Sequence, residues 1–206
     1  VTGHTVVNEL EVRCSPCYHK RHSADTDRRW QTAAMDILAA LRTKRDTRAY
    51  TDDHVDDEVL ARVLDAARMA GSAKNKQPVR LVVVTDHDDK VALSTTGDFA
   101  GWIPGAPIVI VACHESHGSV RLQFDVGRHL QNLMVAAHGE GLATCPVTIH
   151  RIDAVAELLG VPDGFEASMI VTLGWPAPGG EAPAVIAGPR LNMGDYAMQG
   201  RWTTAG

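Results

Sequence analysis

The chain of 206 residues lacks two features that would assign it to large classes of protein, namely long apolar runs and an excess of positive charge. No apolar stretch approaches the ~20 residues that a membrane-spanning helix needs. The start of the sequence has no hydrophobic core of the kind found in signal peptides. A formal net charge of −5 provides no general basic surface that could replace the counterions of nucleic acid. We therefore expect a cytoplasmic protein that binds neither membranes nor nucleic acid.

Cysteine is also scarce, with four residues in the chain. Cys113 and Cys145 lie in apolar stretches and are expected to be buried thiols rather than disulfide partners. Cys14 and Cys17 are followed by two histidines, His19 and His22, at a spacing that matches half of a zinc site. Because no second cysteine pair completes that pattern, we predict no metal site, and the role of this pair stays open.

Residues 1–34 differ in composition from the rest of the chain. They are rich in histidine and in basic residues and have little apolar periodicity, so we expect a loosely ordered N-terminal extension. Met35 is a plausible start of the natural protein. Residues 35–206 are long enough for a single well-buried core and are expected to form one domain. From about residue 176 the chain becomes rich in proline, glycine and alanine, which predicts an extended tail without a helix or strand period.

After residue 35 the apolar pattern alternates between helical and strand periodicity. The first helix would have an apolar stripe formed by Ile37, Leu38 and Leu41. Further helices are predicted at about 56–67, 88–94, 120–138 and 153–159, and buried strands at 79–85, 107–113, 144–148 and 168–174. Buried strands that are separated by helices indicate a layered αβα arrangement.

A basic segment, residues 42–50, follows the first helix. Four cations (Arg42, Lys44, Arg45 and Arg48) lie within seven positions and cannot all share one helical face. Where a helix ends, several of them can converge on one anion, and the planar guanidinium group suits a phosphate because it forms two charge-assisted hydrogen bonds. The alternative is a solvated basic turn that is stabilised by the C-terminal dipole of the helix.

A second candidate site is the amide loop, residues 72–78, which lies between a predicted helix and a predicted strand. The side chains of Asn75 and Gln77 each carry donors and an acceptor, so they can recognise the edge of a flat heterocycle. Pro78 prevents a helix from continuing and orients the strand that follows. An ordinary polar loop is the alternative interpretation.

Two further stretches are candidates for ligand contacts. In residues 141–148, small side chains would allow backbone N–H groups to approach a ligand, although a helix C-cap followed by a core strand fits the same pattern. Arg190 in the tail is either a surface residue or a second phosphate ligand. Gly139-Glu140-Gly141 follows a helix and not a strand, which is the wrong context for a dinucleotide-binding turn. The sequence contains no GxSxG, HExxH or Walker motif.

Several motifs occur in an order that is typical of one protein family. Along the chain they are KRxxRxY at 44–50, SxxNxQP at 72–78, QNLMVAAH at 131–138 leading into GLxTCP at 141–146, and VTLGWP at 171–176. Together they resemble the FMN-dependent nitroreductases, which are NAD(P)H-dependent flavin oxidoreductases. The resemblance extends from Met35 to about Pro176, with a weaker similarity at Arg190 and at Arg201-Trp202.

This resemblance implies an α+β homodimer with a three-layer αβα fold, a central mixed sheet and FMN at the subunit interface. By position in the motifs, the phosphate and ribityl contacts would come from Lys44, Arg45, Arg48 and Arg190 with Asp46 beside them, the isoalloxazine contacts from Ser72, Asn75 and Gln77, and the residues near the reactive edge of the ring would be Pro146, Val147 and Thr148. In many members of the family the isoalloxazine contacts come from the partner subunit.

The implied reaction is a ping-pong hydride transfer from NAD(P)H through the flavin N5 to an electron-poor acceptor such as a nitroaromatic or a quinone. The flavin carries this chemistry, so no catalytic side chain is predicted. Two alternatives are an oxidoreductase linked to the deazaflavin F420 and a non-catalytic flavin-binding protein. The chain departs from many members of the family at Val79, where they have Trp, and at Asp46, where they have Ser. An acid there is typical of the flavin-fragmenting branch, but that branch's Gly-Trp-Val-Ser segment is absent.

We predict that deletion of residues 1–34 leaves FMN binding intact, because every motif of the resemblance begins after Met35. The measurement is the flavin content of the purified truncated protein compared with that of the full chain. A truncated protein that is insoluble or free of flavin would show that the extension is structural.

Overall fold

The structure is a computed structural model that describes residues 36–116, 121–179 and 190–202. The predicted extension, with Cys14 and Cys17, lies outside this part of the chain. The described helices are α1 (Ile37–Thr43), α2 (Asp57–Arg68), α3 (His87–Ser94), α4 (Arg121–Gly139), α5 (Ile152–Leu159) and α6 (Met193–Tyr196), and the strands are β1 (Val79–Val84), β2 (Ile108–Glu115), β3 (Ala143–Thr148) and β4 (Phe165–Gly174). Within the described ranges, no helix has the length and apolarity that crossing a membrane requires.

The strands form one sheet in the order β1-β2-β4-β3, and every neighbouring pair is antiparallel. The predicted α+β class is confirmed, whereas the prediction of a mixed sheet is wrong for these four strands. The reason is the position of β4, which lies between β2 and β3. Because β2 and β3 run in the same direction but are not neighbours, the connection through α4 creates no parallel pair. A single parallel bridge, between Asp46 and Thr144, lies outside the paired strands of the described chain.

Helices cover both faces of the sheet, which confirms the predicted layered arrangement. On one face, α2 and α4 pack on alternate residues of β2 that include Ile108 and Ile110. On the other face, α3 and α5 belong to a second apolar cluster that contains Val109 and Val111. The central strand β2 is therefore apolar from Ile108 to Cys113, as expected for a strand that is buried on both sides. The edge strand β1 is less buried than the sequence predicts, and Arg80 and Val83 are exposed.

Two terminal elements differ from their predicted environment. The apolar stripe of α1 does not face the described core, because Ile37, Leu38 and Leu41 are 72%, 57% and 51% exposed. In this helix Ala40 is the buried residue. The composition of the tail predicts no helix, but α6 forms there. Asn192 caps it by accepting a hydrogen bond from the backbone N–H of Asp195 at 2.9 Å.

We predict that Gly174→Ala destabilises the fold, because a Cβ at Gly174 would lie 2.5 Å from Cδ of Pro107. Relief of such a clash requires backbone movement and typically costs about 1–3 kcal/mol. The matched control is Gly127→Ala in α4, where a Cβ would meet nothing within 4 Å and helix propensity should add about 0.5–1 kcal/mol. Urea unfolding of both variants measures the difference. Equal stability of the two variants would contradict the packing described here.

Candidate functional site

The basic segment is held against the edge of the sheet that β3 forms. The backbone N–H of Thr47 donates to the carbonyl of Thr144 at 3.1 Å, next to the bridge between Asp46 and Thr144. Further along, Tyr50 forms an antiparallel bridge with Pro176, just beyond the end of β4. The predicted phosphate-binding residues and the predicted residues 141–148 are therefore neighbours in the fold.

The hydroxyl of Tyr50 connects the basic segment to β4 through hydrogen bonds. It donates to the carbonyl of Thr47 at 2.6 Å and lies 2.7 Å from Oγ1 of Thr172, a fully buried side chain that also donates to the carbonyl of Cys145 at 3.2 Å. Burial raises the pKa of Tyr50 above its usual value, with a smaller opposing effect of the hydrogen bond to Thr172. The phenol therefore remains protonated at neutral pH, and its hydroxyl is engaged in hydrogen bonds inside the fold.

The cations of the basic segment point in different directions. Lys44, whose side chain is 14% exposed, forms an ion pair with the carboxylate of Asp46. Nη1 of Arg45 donates to the carbonyls of Arg42 and Lys44, each at 2.8 Å. The guanidinium carbon of Arg48 lies 5.7 Å from the ring centre of Trp102. Lys44 and Arg45 thus form the compact part of the predicted phosphate site, while Arg48 extends towards the loop before β2.

The charge of this compact part is evident in the pKa of a neighbouring histidine. Burial, followed by the charges of Lys44 and Arg45, holds the pKa of His138 below its usual range. His138 lies in the last turn of α4, and its Nε2 is 2.9 Å from Oγ1 of Thr43. The sequence alone gave no reason to single out this histidine, although it ends the QNLMVAAH motif and lies i+4 from Met134.

The predicted residues of β3 have different accessibilities. Pro146 and Thr148 are exposed, whereas the side chain of Val147 is buried in the apolar cluster on the α3 and α5 face. Any contact of Val147 with a ligand would therefore come from its backbone. Cys145 is a buried thiol, as predicted, and burial raises its pKa, partly offset by a hydrogen bond from Arg48. A thiol in this state is a weak nucleophile.

The amide loop is a tight exposed turn before β1. Oγ of Ser72 accepts a hydrogen bond from the backbone N–H of Gln77 at 2.8 Å. Lys74, Asn75 and Gln77 have φ values of 53°, 54° and 51°, in the left-handed region that residues other than glycine seldom adopt. Arg80 donates to the carbonyl of Gln77 at 2.6 Å and helps to hold this conformation. The side chains of Asn75 and Gln77 are exposed, so they remain available to a ligand.

The basic segment and the amide loop lie at opposite corners of the sheet. The amide loop leads into Val79, which pairs with His114 near the end of β2. The basic segment lies beside Thr144, which pairs with Leu173, and Leu173 pairs with Ile108 at the start of β2. The two edge strands are separated by three strand spacings, or about 14 Å. One chain therefore does not bring the two predicted groups together.

Another predicted phosphate ligand, in the tail, stays apart from the basic segment. Arg190 is exposed, and no hydrogen bond or ion pair joins it to the basic segment within the described ranges. The same ranges contain no group of three or more His, Cys, Asp or Glu side chains that could hold a metal ion.

We predict that Tyr50→Phe lowers the free energy of unfolding by about 1–3 kcal/mol, because the buried partners of the hydroxyl would be left unsatisfied. The matched control is Tyr196→Phe, where the side chain is 75% exposed and the change should be close to zero. Chemical denaturation of the two variants provides the measurement. If Tyr50→Phe were as stable as the control, the hydrogen bonds of the hydroxyl would not stabilise the position of the basic segment.

Known proteins resemble this chain in both sequence and fold. The nitroreductase family model matches residues 41–97 and 96–175, which is more than half of the chain. A protein of Methanothermobacter thermautotrophicus, provisionally named NADH dehydrogenase/NAD(P)H nitroreductase, is 27% identical over 154 residues, 71% of this chain and 81% of the relative. An FMN reductase [NAD(P)H] of Bacillus subtilis is 27% identical over 133 residues, which cover 61% of this chain and 51% of that protein. The solved structure of B. megaterium NfrA2 has a TM-score of 0.72 and 26% identity, with 82% of this chain and 76% of that one covered. The chain therefore belongs to the nitroreductase family.

Proposed function

We propose that this protein is an NAD(P)H-dependent flavin oxidoreductase that binds FMN and reduces an electron-poor acceptor such as a nitroaromatic or a quinone. The observation that carries the proposal is the fixed pairing of the basic segment with β3, which concentrates the charges of Lys44 and Arg45 beside a strand edge. Membership of the nitroreductase family and the related FMN reductase [NAD(P)H] support the choice of cofactor and of reductant.

The residues present fit the phosphate end of FMN. Lys44 and Arg45 provide an ammonium and a guanidinium group within one turn of chain, and their charges add to burial in lowering the pKa of His138. The carboxylate of Asp46 is the group that would have to give way, since it is the present partner of Lys44. Because Asp46 is 47% exposed, it can move into solvent when a phosphate takes its place.

The residues that fit the isoalloxazine end lie in the amide loop, at the other corner of the sheet. We propose that two copies of the chain associate so that the basic segment of one and the amide loop of the other face the same flavin. Exposed apolar side chains that a second copy could cover support this arrangement. They include Met69 and Phe124, which line a cavity next to the amide loop, and the exposed stripe of α1.

When bound, FMN supplies the chemistry by accepting a hydride from NAD(P)H and passing it to the acceptor in a ping-pong cycle. The side chains of this protein then have binding and orienting roles. Lys44 and Arg45 neutralise the phosphate, and Asn75 and Gln77 offer hydrogen bonds to the polar edge of the ring. The hydroxyl of Tyr50 is engaged inside the fold and the buried Cys145 stays a thiol, so both have structural roles. Pro146 and Thr148 leave an exposed surface on β3 for the reacting molecules.

The visible spectrum of the purified protein, before and after anaerobic addition of NADPH or NADH, tests the proposed function. We expect the absorption bands of an oxidised flavin and their bleaching by a nicotinamide. Addition of a quinone should then restore the bands. A flavin spectrum that neither nicotinamide bleaches would contradict the proposed reductant and favour F420 or a non-catalytic role. Absence of flavin after reconstitution with FMN would overturn the proposal as a whole.

We predict opposite effects of two neighbouring substitutions on FMN affinity. Arg45→Ala removes a charge-assisted contact of roughly 1.5–3 kcal/mol, which corresponds to a loss of about 10- to 150-fold. Asp46→Asn removes the carboxylate that competes for Lys44, and FMN should bind about two- to fivefold more tightly. Quenching of flavin fluorescence measures both affinities.

The matched control for these substitutions is Arg151→Ala, which removes an exposed arginine at the start of α5 on the other face of the sheet. Its FMN affinity should equal that of the unmodified protein. Equal affinity for Arg45→Ala and the control would contradict the assignment of the phosphate site.

A further inference from the structure

The last two turns of α4 contact two consecutive residues near the start of the basic segment. Nε2 of His138 lies 2.9 Å from Oγ1 of Thr43, and the Thr43 hydroxyl donates to the carbonyl of Ala39 at 2.8 Å. Since its one proton is used there, the hydroxyl accepts from His138, and Nε2 carries a proton. One turn earlier in α4, the sulfur of Met134 lies 3.6 Å from Nζ of Lys44. His138 and Met134 together set where Lys44 lies relative to α4.

The charges around His138 oppose its protonation. Lys44 and Arg45 face it from the basic segment, and they add to the effect of burial in holding the pKa of His138 below its usual range. The C-terminal end of α4 acts in the opposite direction, because the helix dipole favours a cation in the last turn.

The carboxylates near His138 are already paired. Asp46 contacts Lys44, and Glu140 accepts two hydrogen bonds of 2.9 Å from Arg62 of α2. Glu140 is thereby held as a carboxylate, since the hydrogen bond to Arg62 also lowers its pKa. The charge balance at His138 therefore depends on what neutralises Lys44 and Arg45.

We propose that His138 is a positioning residue for the phosphate end of the cofactor and that it takes up a proton when a phosphate binds beside Lys44 and Arg45. This inference rests on the proposed function. A phosphate dianion neutralises the two cations that oppose the proton, while the helix dipole continues to favour it. The imidazolium retains the Nε2–H donor to Thr43, so the contact that orients the basic segment is preserved in both states.

Reciprocity then makes FMN affinity depend on pH. If bound phosphate favours the protonated imidazole, protonation must favour the bound phosphate by the same factor. For a dianion several ångströms away in a well-solvated site, Coulomb's law gives a factor of about five. FMN should therefore bind more tightly as the pH falls through the range in which His138 titrates. The phosphate of FMN also titrates in this range, so the effect must be measured against a variant that lacks the imidazole.

The test uses the full chain and His138→Gln, whose side-chain amide can still donate to Thr43 but cannot titrate. FMN affinity is measured from about pH 5 to pH 8, because the pKa of His138 lies below the usual range of an imidazole. Riboflavin is the ligand that lacks a phosphate, and His87→Gln on the exposed surface of α3 is the matched control. In parallel, the imidazole NMR signal of His138 is followed against pH with no ligand, with FMN and with riboflavin.

The proposal predicts that the titration midpoint of His138 rises with FMN and stays in place with riboflavin. It also predicts that the gain in FMN affinity at low pH is about fivefold larger in the unmodified protein and in His87→Gln than in His138→Gln. Tight FMN binding with an unmoved midpoint would overturn the inference and leave the proposed function intact. An affinity lowered equally at every pH in His138→Gln would assign a purely structural role to His138. If FMN did not bind at all, both the inference and the proposed function would be contradicted.

Discussion

The pairing of the basic segment with β3 is the constraint on which the candidate site depends. Cationic side chains at the end of a short helix ordinarily extend into solvent. Even here, three of the four cations of the basic segment point in different directions. A backbone contact at Thr47 and the buried hydroxyl of Tyr50 fix the middle and the end of the segment. Lys44 is thereby placed beside Asp46 and Met134 of α4, and the charges of Lys44 and Arg45 both act on His138.

The antiparallel order of the sheet has the largest consequence for function. Because β1 and β3 form opposite edges, the residues with phosphate chemistry and those with amide chemistry are kept apart within one chain. Each group is chemically suited to one end of a flavin, but neither group is a complete site. In a dimer, the amide loop of each chain would complete the site that begins at the basic segment of the other chain. The position of the two loops in the sheet is thus the reason for proposing a dimer.

Much of the fold could be predicted from periodicity. The apolar pattern gave the positions of α2, α4 and all four strands to within a few residues, because long periodic segments leave little ambiguity. The direction of the strands could not be predicted in this way, since the insertion of β4 between β2 and β3 is a property of the whole sheet. The stripe of α1 shows a related limit, because an amphipathic pattern does not say which surface, or which molecule, will cover it.

The candidate site was only partly predictable. The motif order identified the family, and the structure brings the basic segment to residues 143–148. The contact of His138 with Thr43 joins side chains that are distant in sequence. The burial of Val147 depends on which face of β3 is turned towards the core. The ion pair of Lys44 with Asp46 depends on the conformation of the chain after α1. None of these could be inferred from spacing alone.

The most direct test of the account is the number of FMN molecules bound by a heterodimer of Arg45→Ala and Asn75→Ala chains, isolated through two different affinity tags. If each flavin site uses the basic segment of one chain and the amide loop of the other, one site of this heterodimer carries both defects and the other carries none. The account predicts one FMN bound with unmodified affinity per heterodimer, while each variant alone binds weakly. Uniformly weak binding in the heterodimer would show that both loops of a site belong to the same chain and would contradict the account.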